Sequence, residues 1–84
     1  MNSDKISVRA FPNPTNSYFT LSFSSIQKSA QFILIDVVGN IVFEKTINNQ
    51  NKIDVACNGF SKGIYMYRVL GEDGISHSGK IIIE

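Results

Sequence analysis

Apolar and polar residues alternate along this chain with period two, and no segment carries apolar residues at sustained helical spacing. Strands with one buried face are the consequence. Phe19, Leu21 and Phe23 alternate with Tyr18, Thr20, Ser22 and Ser24, which directs the first set into a core and leaves Ser22 and Ser24 wet. Seven runs of this kind, each bounded by Pro, Gly, Asn or Ser, predict strands over Ile6 to Phe11, Tyr18 to Ser24, Ala30 to Val37, Asn40 to Ile47, Lys52 to Cys57, Ile64 to Glu72 and Ile75 to Ile83. The chain reads as all-β, a seven-stranded antiparallel β-sandwich of immunoglobulin-like kind.

Turn chemistry orders these strands. Asp73-Gly74 suits a two-residue type I′ hairpin, so the last two strands pair antiparallel. Val38-Gly39 turns the chain between the third and fourth strands, with Gly39 free to take the left-handed conformation. Asp36, at the end of the third strand, is placed to accept hydrogen bonds from the amides of Val38 and Gly39. Asn48-Asn49-Gln50-Asn51 is read as the loop of a further hairpin. Phe32, Ile33, Leu34 and Ile35 are apolar on both faces, as in a strand at the middle of a sheet. Arg68 turns Ile64, Met66 and Leu70 outward and Tyr65, Tyr67 and Val69 inward. The expected core is Phe19, Leu21, Phe23, Ile33, Ile35, Val55 and Tyr65.

With 84 residues the chain supports a single domain, 1–84, whose first five residues read as leader or linker. Hydrophobic residues make up 43% and charged residues 18%, enough apolar surface to offset chain entropy. A net charge of +1, with Lys and Arg scattered from Lys5 to Lys80, offers no basic stripe for nucleic acid or anionic lipid. No apolar run is long enough to insert in a membrane as a helix, and Met1-Asn2-Ser3-Asp4-Lys5 lacks the apolar core of a signal peptide. The lone Cys57 excludes an internal disulfide and continues the inward alternation of Ile53 and Val55, so it is expected to pack as a small hydrophobe.

Catalysis needs convergent acids, bases, nucleophiles or metal ligands. One His, one Cys and seven carboxylates spread over different segments do not supply them, so no enzyme activity, metal or cofactor is expected. His77 has no second ligand at zinc spacing and reads as a surface imidazole. Asp36, Asp54 and Asp73 lie in no calcium-type loop. Pro12-Asn13-Pro14 bars the chain from a ladder, and so ends and turns the first strand whether or not it also makes a contact. Gly63-Ile64-Tyr65 is more readily a folding element, in which a tight turn sends Tyr65 into the core, than a contact site.

Taken in order, Phe11-Pro12-Asn13-Pro14, the hairpin from Phe32 to Val42 with Asp36 and Gly39, the Gly63-Ile64-Tyr65 triplet and the closing Lys80-Ile81-Ile82-Ile83 resemble one family. This is the type IX secretion C-terminal sorting domain. Pro12, Asn13, Pro14, Asp36, Gly39, Gly63, Tyr65, Lys80, Ile81, Ile82 and Ile83 match its motifs, and Phe60 stands where a Leu is common. The resemblance implies a non-catalytic address at the C-terminus of an exported protein, with the N-terminal cargo covalently attached. It implies a route through the periplasm and reading by the outer-membrane type IX translocation machinery, with the final strand as a handle for strand addition. In many members a sortase-like surface peptidase then removes the domain and attaches the cargo to the cell surface. The rival is a carbohydrate- or protein-binding module of a secreted hydrolase or adhesin, for which Tyr18 and Phe11 are the exposed aromatics available.

Overall fold

The computed structural model describes residues 7–84 except 73 and 75. The expected leader, Ile6 and the Asp73 half of the Asp-Gly turn lie outside the described residues. Among the described residues seven strands form: β1 (Val8–Phe11), β2 (Tyr18–Gln27), β3 (Ala30–Ile35), β4 (Ile41–Ile47), β5 (Gln50–Ala56), β6 (Gly63–Leu70) and β7 (Ser76–Ile83). They make a three-stranded sheet ordered β1-β2-β5 and a four-stranded sheet ordered β4-β3-β6-β7, with every neighbouring pair antiparallel. The all-β sandwich expected from the alternation is therefore the fold.

The inward residues of both sheets meet in one core. Phe19, Leu21, Phe32, Leu34, Ile47, Val55, Val69 and Ile81 are all but sealed from solvent. Phe32 is the centre of the aromatic packing, with ring centroids 6.4 Å from Phe19, 6.1 Å from Phe43 and 6.4 Å from Tyr67. Cys57 is buried with the rest. Burial pushes its thiol pKa up, which adds to the steric shielding. Thiol reagents are therefore expected to leave the native domain unlabelled even at pH 9 and to label it on denaturation. Rapid labelling of the folded protein would contradict this placement.

Five expectations need correction. In β3 the core side chains are Phe32 and Leu34, and Ile33 and Ile35 are half-buried on the outer face. An unbroken apolar run is silent about its own faces, but pairing of Ile33 with Arg68 turns it outward. The chain also does not form a hairpin at Asn48-Asn49. Instead β4 hands over to β5 in the other sheet through Asn49, whose φ is 52°, and Gln50 and Asn51 already belong to β5. Thr20 is buried despite its outward register, because Phe11 and Asp54 flank it and its hydroxyl donates to Asp54 Oδ1 at 2.7 Å. His77 is half-buried, since odd positions of β7 turn inward. The β6–β7 connection is longer than a two-residue turn: among the described residues the last pair is Leu70 with Ser76, and Gly74 donates to the Gly71 carbonyl.

Candidate functional site

The first and last motif segments, far apart in sequence, are joined by hydrogen bonds. β1 stops at Phe11 because Pro12 and Pro14 lack the amide hydrogens a ladder needs. Between them, Asn13 points its carboxamide at the outer edge of β7. Its Nδ2 donates to the Lys80 carbonyl at 2.9 Å, and its Oδ1 accepts from the Ile82 amide at 3.0 Å. A carboxamide carries one donor face and one acceptor face, as a peptide group does, so Asn13 takes the place of a neighbouring strand residue. The backbone of Thr15 continues the pairing. Its amide donates to Ile82 O at 2.9 Å, its carbonyl accepts from the Glu84 amide at 2.8 Å, and it forms a parallel bridge with Ile83.

These bonds close the free edge of β7 from Lys80 to Glu84. An open edge strand invites pairing with other chains, and covering it is one way proteins prevent that. Strand addition here, the mode expected for the final strand, requires Asn13 and Thr15 to leave first. On the inner side of β7, Ile81 and Ile83 enter the core opposite Tyr65 and Gly63, while Lys80 is exposed and Ile82 half-buried. Tyr65 is buried, with its hydroxyl donating to the Ser61 carbonyl at 2.6 Å, a corner that ties the strand to the turn before it. Gly63 opens β6 with φ of 155°. Phe60 bridges Phe43 and Tyr65, at 6.1 and 6.2 Å between ring centroids.

The Asp36–Asn40 turn lies at the same end of the sandwich. Asp36 Oδ1 accepts from the Val38 amide at 3.0 Å and the Asn40 amide at 2.8 Å, and Oδ2 accepts from Asn40 Nδ2 at 3.3 Å. The Gly39 amide instead donates to the Asp36 backbone carbonyl at 3.0 Å, which corrects the expected second partner. Gly39 has φ of 99°, a conformation that a side chain would strain. Asp36, Tyr65 and Lys80 line one shallow depression together with Ile64, Met66 and Arg68. The motif residues thus gather at one end of the molecule.

The amide of Asn40 is the main cause holding the Asp36 carboxyl below its ordinary pKa of 3.8; partial burial opposes it, and the Asn40 side chain and Val38 amide add to it. A lowered folded-state pKa means that the turn bonds are intact above the ordinary value and are lost as pH falls through the folded one. Amide shifts of Val38 and Asn40 are expected to titrate with a midpoint below 3.8. A midpoint at or above that value would show that the carboxylate is not held as described.

The partners of Asn13 leave no mark in the sequence, nor do two other features. Gln27, fully buried at the end of β2, donates to Ser25 O and accepts from the Glu72 amide. Gly79 lies under the ring of Tyr67, its cross-strand partner. Among the described residues no group of three or more His, Cys, Asp or Glu could hold a metal ion.

The profile of one family, described as the secretion system C-terminal sorting domain, matches residues 9–84. The chain belongs to this family. This sorting domain is 31% identical over 78 residues, 92% of its length, to an endo-acting ulvan lyase of Formosa agariphila, and spans only 15% of that enzyme. Its fold is similar to that of a DUF3244 family protein with an immunoglobulin-like β-sandwich from Bacteroides vulgatus, with a TM-score of 0.77, 18% identity and 95% of each chain covered. CopC from Methylosinus trichosporium OB3b is a more distant likeness, with a TM-score of 0.57, 16% identity and coverage of 92% of this chain and 91% of that one.

Proposed function

We propose that this sorting domain is a non-catalytic address that directs an N-terminally attached cargo across the outer membrane through the type IX machinery. The cargo reaches the periplasm by a separate signal and ends in the medium or on the cell surface, where a sortase-like peptidase removes the domain. The observation that carries the reading is the family match over 9–84 in a chain whose matching motifs are joined in one folded unit by Asn13 and β7. The ulvan lyase supports it from outside: a sequence like this one occupies a small share of a large enzyme, as an appended address would. The site presents a sheet face and a strand edge that is freed only when Asn13 and Thr15 leave, both of them groups suited to binding.

The test is a periplasmic reporter fused ahead of the domain in a bacterium with type IX secretion. The intact domain should bring the reporter to the surface or medium, and a form lacking Lys80–Glu84 should leave it in the periplasm. Lys80→Ala keeps the backbone bonds and β-branched residues of β7 and changes stability little, so it isolates what the exposed side chain contributes to reading. Equal secretion of the truncated and intact fusions would sink the sorting function.

One observation favours the binding-module reading. Phe11 and Tyr18 are both exposed on the outer face of the three-stranded sheet, Phe11 across from Thr20 on β1 and Tyr18 two residues before Thr20 on β2. The Arg9 guanidinium lies 5.5 Å from the Phe11 ring centroid and covers one face of that platform. Saturable heat in a glycan titration, lost in Tyr18→Ala, would support this reading over the first.

A further inference from the structure

The outer face of the four-stranded sheet is apolar at the end where the motifs gather. The strand registers set Ile41, Ile35, Met66 and Lys80 in one row across β4, β3, β6 and β7, with Ile64 and Ile82 in the next row on β6 and β7. Beyond them the Asp36–Asn40 turn holds Val37 and Val38 out into solvent, 87% and 79% exposed. Ile64 and Met66 are also about half exposed, at 53% and 49%. Scattered exposed aliphatics are ordinary, but a contiguous set on a sheet face marks an interaction surface. The turn adds a second sign. Three bonds to the Asp36 carboxylate fix its backbone, so the two valines are displayed by a rigid support that costs little further ordering on binding.

Charge selects the occupant. Arg68 and Lys80 border the apolar rows on the β6–β7 side and line the depression there, and Lys62 lines the adjoining one. Asp36, which lines both, already accepts bonds from its own turn, and Glu44 stands on the far strand β4, across from Ile33. A second copy of this chain would bring Arg68 and Lys80 against a face bordered by the same cations, an unfavourable match. The geometry points to a protein surface that offers aliphatic side chains flanked by carboxylates. Resting on the sorting function proposed above, this is the face that the export partner reads, with Val37, Val38, Ile64 and Met66 as its apolar centre and Arg68 and Lys80 as its charged rim.

The reporter fusion tests this with three variants of the full domain: a Val37→Ser, Val38→Ser double substitution, Arg68→Glu and Arg68→Lys. All change exposed side chains, so melting temperatures should match the parent. Export should fall about tenfold in the double variant and in Arg68→Glu, the loss that follows when a central contact is removed from an interface, and should hold in Arg68→Lys. Sedimentation of the isolated domain should show a monomer at all concentrations. Full export of the folded double variant and of Arg68→Glu, beside failure of the form lacking Lys80–Glu84, would remove this face and leave the sorting function standing. Failure of the intact fusion to export would remove both. A dimer that dissociates on the Val37→Ser, Val38→Ser change would show that a second copy covers the face, and would overturn the assignment.

Discussion

Phe32→Ala is expected to remove a large part of the domain's stability. The ring is fully buried and packs against Phe19, Phe43 and Tyr67, so its removal opens a cavity between both sheets. A buried Phe→Ala change costs about 3–5 kcal/mol. At roughly 0.05–0.15 kcal/mol per residue a domain of this size has a total stability of similar order. Ile33→Ala, one position along but on the outer face, should cost less than half as much. Urea denaturation of the two variants reads the difference directly, and equal losses would mean that the faces of β3 are misassigned.

Gly79→Ala should destabilise, although alanine normally suits a strand better than glycine by about 0.5–1 kcal/mol. A Cβ at Gly79 would stand 2.5 Å from the Tyr67 hydroxyl oxygen and 2.6 Å from the ring carbon that bears it. Tyr67 is itself buried, at 7% exposure, so the ring has little open space to retreat into. Overpacking of this kind costs about 1–3 kcal/mol, which outweighs the gain in strand preference and sets the sign. A double-mutant cycle decides whether the ring is the cause. In a Tyr67→Leu background the penalty of Gly79→Ala should shrink or reverse, whereas an undiminished penalty would place the strain in the backbone.

The Tyr67–Gly79 contact shows why some of the molecule could be read from the sequence and some could not. Alternation in β2, β5 and β6 fixed which residues face inward, because each run has polar residues on one side only. β3 has none to orient it, and its faces follow from pairing with β6. A two-residue Asp73-Gly74 turn would have set Gly79 opposite Arg68; the longer connection sets it opposite Tyr67. Asn48-Asn49 has turn composition, but composition does not say whether the next strand returns to the same sheet. Nor does it say where a side chain bonds. The motif residues were legible as a set, yet the bonds of Asn13 reach Lys80 and Ile82, 67 and 69 positions away, and no local spacing announces them.

That clasp is the structural centre of the account, since it makes one unit of the segments that mark the family. Asn13→Ala removes two hydrogen bonds and should cost about 1–2 kcal/mol at this partly exposed edge. Hydrogen exchange at single amides tests it most directly. The Ile82 amide, which points at Asn13 Oδ1, should exchange markedly faster in Asn13→Ala, while the Tyr67 and Val69 amides of the core strand β6 keep their protection. Unchanged exchange at Ile82 would mean that the Pro-Asn-Pro segment does not hold the last strand.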